Sequence, residues 1–216
     1  MTTALAAAVR AASGSVTGQE SQRKVGRADT AVVRMFGRLV GLSYESDPVE
    51  VPRRLAFGSD TSVPSMALLD ALMSLPLDQP VAVKDLTTRQ RQLLRAAPLG
   101  AVEIDRLQVT RRAVAPLQVR FALLAAKDWA SGLERAGQFA PHCERALLLR
   151  ELPRDNSELL MQASFYGVGV FVLQGAELER VVEPSPYVRV RHTPAHWWFA
   201  EEAYAQIRAS GAASSS

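Results

Sequence analysis

The stretch from Leu117 to Leu173 most constrains the fold, because short apolar runs alternate there with segments of helical character. The apolar runs are Leu117–Ala126, Arg145–Arg150 and Val168–Leu173, and the segments between them are Trp129–Gln138 and Ser157–Tyr166. Runs this short and this apolar are typical of central strands that are buried on both faces, with helices between them. The stretch therefore predicts an α/β fold, with a mixed central β-sheet flanked by helices.

The composition is that of a globular protein, with 48% hydrophobic and 22% charged residues. No apolar run approaches the roughly 20 residues that a membrane span needs. The single Cys143 excludes an internal disulfide and a Cys-rich zinc site. We therefore expect a cytoplasmic protein with no membrane partner. Its net charge of +3 permits an anionic partner without requiring one.

Low-complexity sequence at both ends of the chain predicts flexible extensions. Residues 1–26 begin with a segment rich in Ala, Ser, Thr and Gly, and residues 210–216 are similar. Between them we expect a helical region over residues 27–99 and an α/β core over residues 100–209.

The region before the core carries helix and strand signals in alternation. Helices are predicted at Ala31–Val40, Met66–Leu75 and Asp85–Ala97, and strands at Val49–Val51, Val81–Val83, Ala101–Asp105 and Gln108–Val114. Part of this region has a helix, a short strand, a second helix and then a strand pair. It resembles winged helix-turn-helix domains in that order of elements.

Lys127 follows a predicted buried strand and precedes a predicted helix. In this arrangement the chain resembles the core of restriction-endonuclease-like (PDDEXK) proteins, over about residues 101–184. The segment Gln162–Pro184 is similar to the helix–strand–turn end of some bacterial nuclease-like proteins of this class. The resemblance implies a site in which an upstream Asp and the Glu of a Glu-x-Lys motif hold Mg²⁺, while the Lys positions or activates water.

The chain departs from that motif at two positions. Lys127 matches the Lys of the family and Asp105 can stand for the upstream Asp, but Ala125 occupies the Glu position. Arg135-Ala136 replaces the Gln-Ala pair of the following helix. One Asp supplies too few oxygen ligands for Mg²⁺. The resemblance therefore implies a degenerate nuclease-like domain, a pseudoenzyme without a cofactor, in which Asp105 and Lys127 are vestigial.

Seven arginines with few acids among them occupy the middle of the chain: Arg89, Arg91, Arg95, Arg106, Arg111, Arg112 and Arg120. Guanidinium groups match the geometry of phosphate, and a basic stripe is typical of nucleic-acid binding. The alternative interpretation is a solvated helix face with charges at strand edges.

Three consecutive large aromatic residues, Trp197, Trp198 and Phe199, lie in a predicted helix, Pro194–Arg208, capped by Thr193. Consecutive residues cannot all point to one side of a helix. We expect two of them to pack in the core and the third to be available for a partner contact.

Three further motifs favour structural roles. His192 and His196 have the i, i+4 spacing of metal ligands, and Glu201 and Glu202 follow on the same helix. A metal site needs three or more converging ligands, and His192 precedes the helix cap, so the two histidines do not share one helical face. His142 and Cys143 are adjacent, and adjacent side chains rarely face each other as a nucleophile and its base must. Gly167 lies after a predicted helix, where it is typical of a C-cap rather than of a phosphate-binding loop.

These observations support three functions. The preferred one is a non-catalytic protein that binds DNA or RNA, or binds a partner that does. The first alternative is a structural or assembly protein, acting on a protein partner or as a homo-oligomer, through Trp197–Phe199 or through Ala31–Val40. The second is a Mg²⁺-dependent nuclease with a rearranged active site, in which Glu103 or Glu134 replaces the missing carboxylate.

Overall fold

The computed structural model describes residues 2–16, 28–58, 62–63, 65–175, 177–189 and 191–213. Its α-helices are α1 Thr2–Val16, α2 Glu50–Ala56, α3 Met66–Met73, α4 Thr88–Arg95, α5 Trp129–Gly137, α6 Ser157–Tyr166 and α7 Pro194–Ala213. Its strands are β1 Asp29–Met35, β2 Arg38–Ser46, β3 Pro80–Ala82, β4 Val102–Ile104, β5 Gln108–Arg111, β6 Leu117–Ala125, β7 Glu144–Leu149, β8 Gly169–Gln174 and β9 Glu177–Val182. The predicted α/β class with a mixed sheet is confirmed.

The chain divides into two compact units. The first comprises residues 1–45, 119–189 and 206–216, and the second comprises residues 46–118 and 190–205. This division differs from the predicted boundary near residue 99. The reason is that β1 and β2 belong to the same sheet as β6, although residues 47–116 separate these strands in sequence.

The first unit is built on a six-stranded sheet with the order β1-β2-β6-β7-β8-β9. The three central strands β6, β7 and β8 are parallel and are joined through α5 and α6, as the alternation of apolar runs predicts. Antiparallel hairpins, β1–β2 and β8–β9, form the two edges of the sheet. Gly175 turns the second hairpin with φ +62°, a conformation that favours glycine.

Helices cover both faces of this sheet. On one face α1 packs Leu5 and Val9 against Phe121, Leu123 and Phe171 in a continuous apolar cluster. On the other face α5 lies so close to β7 that a Cβ on Gly132 would stand 3.2 Å from the Leu147 methyl groups. Burial on both faces explains why the central strands read as apolar runs rather than as alternating patterns.

The predicted helix at Ala31–Val40 is wrong, because this segment forms the β1–β2 hairpin. Met35 pairs with Arg38 across a two-residue turn, Phe36-Gly37, in which both residues have positive φ (49° and 75°). Two residues of positive φ are characteristic of the tight turns that suit the twist of a hairpin. β-branched residues on either side of the turn favour strands, and pairing with the rest of the sheet outweighs the helical spacing.

The predicted edge strand at Val49–Val51 is also wrong, since α2 begins at Glu50. The Asp47 carboxylate accepts hydrogen bonds from the backbone N–H groups of Val49 (3.0 Å) and Glu50 (2.7 Å). These bonds satisfy donors that the first turn of a helix leaves free.

The prediction of a flexible extension over residues 1–26 is wrong for residues 2–16, which form α1. Its residues Leu5, Ala8, Val9 and Ala12 are buried, and their i, i+3, i+4, i+7 spacing makes one apolar stripe. Residue 1 and residues 17–26 of the predicted extension lie outside the described ranges. At the C-terminus, α7 continues through residues 210–213 of the predicted tail, and residues 214–216 lie outside the described ranges.

The second unit contains α2, α3, α4 and a three-stranded antiparallel sheet of order β3-β5-β4. Its core gathers Leu69, Leu72 and Leu94 from α3 and α4, Val109 from β5 and Trp197 from α7. The helix–strand–helix–hairpin order of the sequence therefore folds around one apolar cluster.

Candidate functional site

Lys127 lies beyond the carboxyl end of β6, at the mouth of a cleft of about 780 Å³ in the first unit. Leu124, Ala125 and Ala126 line the same cleft, so the position that the nuclease motif gives to Glu contributes only a methyl group. Asp105 belongs to the second unit, where its carboxylate accepts hydrogen bonds from the backbone N–H groups of Leu107 and Gln108, both at 2.7 Å. These hydrogen bonds to the Asp105 carboxylate stabilise the β4–β5 turn.

No group of three or more His, Cys, Asp or Glu among the described residues could hold a metal ion. Glu103, one of the carboxylates considered for a rearranged nuclease site, pairs instead with Arg112 at 2.8 Å. Glu134, the other, is exposed on α5. Neither is among the described residues that line the cleft around Lys127.

The cleft around Lys127 is strongly basic. Its lining includes five cationic side chains and one carboxylate, namely Arg34, Arg38, Lys127, Arg135, Arg150 and Asp128. The carboxyl ends of parallel strands share one edge of a sheet, which is where ligands bind in many α/β folds. Lys127 after β6 and Arg150 after β7 reach the cleft for this reason, while Arg34 and Arg38 come from the β1–β2 hairpin.

Asp128, the one carboxylate among the described residues of the cleft, is engaged by the backbone. Asp128 is the N-cap of α5 and accepts a hydrogen bond from the Ser131 N–H at 2.9 Å. That hydrogen bond lowers the pKa of Asp128, and the nearby charge of Arg135 acts in the same direction. The carboxylate therefore stays ionised but neutralises only part of the surrounding positive charge.

Sequence reasoning identified Lys127 but missed the four arginines of the cleft. Arg150 could have been found, because it directly follows a predicted parallel strand whose carboxyl end must lie beside that of β6. Arg34 and Arg38 could not have been found in this way, since their segment was predicted to be helical. Arg135 was considered only as a replacement for a family Gln.

The seven predicted nucleic-acid-binding arginines fall into two groups. Arg89, Arg91 and Arg95 lie on α4, and Arg106 lies at the β4–β5 turn. Arg89, Arg95 and Arg106 are exposed, whereas Arg91 is half-buried and its guanidinium donates to Thr88 Oγ1 at 3.3 Å.

The other three arginines are engaged within the protein. Arg111 donates to the carbonyls of Leu72, Leu75 and Ala113 and stacks over the Trp197 ring at 4.9 Å. Burial lowers the pKa of its guanidinium. Arg112 pairs with Asp78 and Glu103, both at 2.8 Å, and these hydrogen bonds raise its pKa. Arg120 pairs with Glu45 at 2.9 Å in the first unit.

The three consecutive aromatic residues of α7 differ in burial. Trp197 and Phe199 are buried, at 5% and 1% exposure, while Trp198 is half-buried against the core of the second unit. Trp198 therefore presents the only partly accessible ring of the three.

A buried ionic network in the second unit was not visible in the sequence. Arg54 donates to both oxygens of Glu201 at 2.6 and 2.7 Å, and to Glu50 at 2.7 Å. Trp197 Nε1 and the backbone N–H of Val63 also donate to Glu201. This network links α2 to α7 and has the features of a structural device rather than of a reactive site, because every carboxylate oxygen involved is hydrogen-bonded.

The structure also places the remaining candidates of the sequence analysis. Cys143 is fully buried, and burial raises the pKa of its thiol. Gly167 caps α6 in the left-handed conformation, with φ +64°. Thr193 Oγ1 accepts from the backbone N–H of His196 at the start of α7, and neither His192 nor His196 belongs to a cluster of metal-binding side chains among the described residues.

No protein-family model, curated protein or solved structure matches the chain. The described helices include none that combines the length and the apolar character required to cross a bilayer.

Proposed function

We propose that this protein binds nucleic acid without cleaving it, and that the second unit makes the contact through α4 and the β4–β5 turn. The observation that carries the proposal is a row of exposed polar side chains on α4. Arg89, Gln92 and Arg95 recur every three residues and are all exposed, so they share the solvent face of the helix.

The opposite face of α4 fixes that row in place. Leu94 is buried in the core of the second unit, and Leu93 packs against the same cluster. Thr87 and Gln90 close the N-terminus with a capping box, in which Thr87 Oγ1 accepts from the Gln90 N–H and Gln90 Oε1 accepts from the Thr87 N–H. A packed and capped helix already has a fixed backbone, so binding through its outer face costs little backbone conformational entropy.

The dimensions and chemistry of α4 suit the major groove of duplex DNA. A helix with side chains is about 10–12 Å across, and the groove is about 12 Å wide. Arginine pairs with guanine and glutamine with adenine through two hydrogen bonds each. In the winged-helix arrangement that this unit resembles, one helix enters the groove and a hairpin lies against the backbone.

The β4–β5 turn is suited to the backbone contact. Arg106 is exposed at its tip beside Leu107, which is 75% exposed. The Asp105 carboxylate holds the turn through its two hydrogen bonds. A fixed turn that carries an exposed guanidinium can contact a phosphate.

Fluorescence anisotropy with a labelled random-sequence duplex, measured over a series of salt concentrations, tests the proposal. We expect affinity that falls steeply as salt rises, because binding releases counterions from the phosphates. The variant Arg89→Ala/Arg95→Ala/Arg106→Ala should weaken binding at least tenfold. A plot of log affinity against log salt concentration should also become shallower, by about one unit of slope for each phosphate that the variant no longer neutralises.

Arg154→Ala is the matched control for each single substitution, because Arg154 is an exposed arginine of the first unit. It changes the net charge by one and should leave affinity almost unchanged. Negligible binding at low salt would refute the proposal. If single substitutions at Arg89 and Arg154 weakened nucleic-acid binding equally, the proposed location of the contact on the second unit would be refuted. Single-stranded DNA and RNA of the same length show which nucleic acid is preferred.

A second candidate function, self-association, is favoured by one feature of α6. Met161 and Phe165 are 65% and 81% exposed at i, i+4 spacing, and Tyr166 beside them is 56% exposed. An apolar strip of this kind suits a symmetric contact with a second copy of the chain. Light scattering should give the mass of a dimer that Phe165→Ser returns to the monomer; a wild-type monomer at high concentration would exclude this function.

A further inference from the structure

The cleft at the carboxyl edge of the six-stranded sheet combines an apolar floor with a basic rim. Its apolar lining consists of aliphatic side chains from three central strands, the hairpin and α1: Leu5, Leu39, Leu124, Leu148, Leu149 and Leu173. Its basic lining consists of Arg34, Arg38, Lys127, Arg135 and Arg150. Both kinds of surface belong to the first unit, whereas the helix and turn proposed to contact nucleic acid belong to the second.

The basic side chains of the rim are not used to hold the protein together. Among the ion pairs and side-chain hydrogen bonds of the described residues, none engages the charged groups of Arg38, Lys127, Arg135 or Arg150. Arg34 donates one hydrogen bond, to the Gly37 carbonyl of its own hairpin at 3.2 Å. Five cations that converge around one described carboxylate, Asp128, repel one another, and this repulsion is relieved when an anion binds.

The size and the apolar lining of the cleft limit the class of anion that it can bind. A volume of about 780 Å³ lies in the range of small-molecule sites, and an inorganic ion would leave most of it empty. No aromatic side chain is among the lining residues, so the cleft offers no ring on which a nucleobase could stack. Aliphatic walls instead suit an aliphatic chain, because each methylene group that is removed from water makes the binding free energy more favourable.

We propose that this cleft binds an alkyl or acyl phosphate, with the phosphate between the rim cations and the aliphatic part against the leucines. Guanidinium groups bind phosphate oxygens through paired hydrogen bonds, and the Lys127 ammonium adds a compact charge. The Asp128 carboxylate is held by the Ser131 N–H, and it limits how deeply the phosphate approaches α5. The proposal is independent of nucleic-acid binding by the second unit.

Isothermal titration calorimetry with octyl phosphate, inorganic phosphate and 1-octanol tests both halves of the site. Octyl phosphate should bind at least tenfold more tightly than either fragment, because only it uses both the rim and the floor. Equal affinity for octyl phosphate and inorganic phosphate would overturn the aliphatic half. Equal affinity for octyl phosphate and octanol would overturn the anionic half, and no binding of octyl phosphate would overturn the whole proposal.

Arg38→Ala/Lys127→Ala should weaken octyl phosphate binding at least tenfold, since the variant loses two cations that can donate hydrogen bonds to the phosphate. Both residues are exposed, so the variant should unfold at the wild-type temperature. Arg10→Ala/Arg154→Ala removes two exposed charges of the first unit outside the cleft and should bind as wild type. Equal weakening by the two variants would show non-specific attraction and overturn the site.

Further experiments distinguish a ligand in a lipid bilayer from a free ligand. Sedimentation with phosphatidylcholine vesicles, with and without phosphatidic acid, supports a bilayer source if pelleting needs phosphatidic acid and is abolished in Arg38→Ala/Lys127→Ala. Binding of octyl phosphate without pelleting supports a free ligand. Displacement of octyl phosphate by a DNA duplex in the Arg89→Ala/Arg95→Ala/Arg106→Ala background would assign the cleft to nucleic acid and overturn the proposal.

Discussion

Arg54 and Glu201 form a bidentate ion pair, at 2.6 and 2.7 Å, between side chains that are only 1% and 3% exposed. They are 147 residues apart in sequence. Glu50 completes the pairing on α2, so one guanidinium faces two carboxylates. Burial opposes the charge on Arg54, but hydrogen bonds and charge attraction from Glu201 and Glu50 outweigh it and raise the pKa of the guanidinium.

Arg54→Ala should destabilise the second unit by about 3–5 kcal/mol, because it leaves the buried Glu201 carboxylate without its cation. Urea unfolding followed by tryptophan fluorescence measures this effect, since Trp197 donates to Glu201. Arg120→Ala is the matched control. It breaks a pair whose arginine is 44% exposed, and such pairs contribute at most about 1 kcal/mol. Similar destabilisation in both variants would show that the buried network does not stabilise the unit.

Val9→Ala should lower the free energy of unfolding by about 2 kcal/mol. Val9 is fully buried on α1, and a Cβ on Gly41 of β2 would lie only 2.8 Å from its Cβ. The helix therefore packs tightly against the sheet. Arg10→Ala, at the next and exposed position, serves as the control and should have little effect. If Val9→Ala were equally neutral, α1 would not be part of the folded core.

Cys143 should resist thiol reagents in the folded protein. Full burial raises the pKa of its thiol, so almost no thiolate forms at neutral pH, and the reagent cannot reach the sulfur. We expect no labelling by Ellman's reagent within minutes at about pH 8, and one thiol per chain after addition of guanidinium chloride. Fast labelling of native protein would mean that this part of the first unit opens readily.

The protein should not cleave plasmid DNA in the presence of Mg²⁺ or Mn²⁺. Ala125 supplies no oxygen ligand beside Lys127, and the described residues offer no other cluster of carboxylates near it. Agarose-gel assays of wild type and Lys127→Ala, prepared in parallel, measure this. Nicking that needs the metal and disappears in Lys127→Ala would favour a rearranged nuclease site over binding alone.

The central α/β segment was predictable because its signals are local. The runs at β6, β7 and β8 are predominantly apolar, the helices between them have capping residues such as Asp128 and Gly167, and the structure confirms each of these elements. The helix–strand–helix–hairpin order of the second unit was likewise readable from caps and breaks. Thr87 is the N-cap of α4, inside the predicted helix Asp85–Ala97.

The sequence by itself determined which segments are strands or helices wherever periodicity, caps and turns agree, and it marked Lys127 and the α4 arginines as candidates. Only the tertiary structure decided the rest. Residues 29–46 became a hairpin because pairing within a sheet outweighs local helical spacing, and Ala-rich α1 became core because a face of that sheet needed cover. Arg54 pairs with Glu201, and Arg34 and Arg38 line one cleft with Lys127, because the placement of distant segments depends on how the chain packs and leaves no local signal.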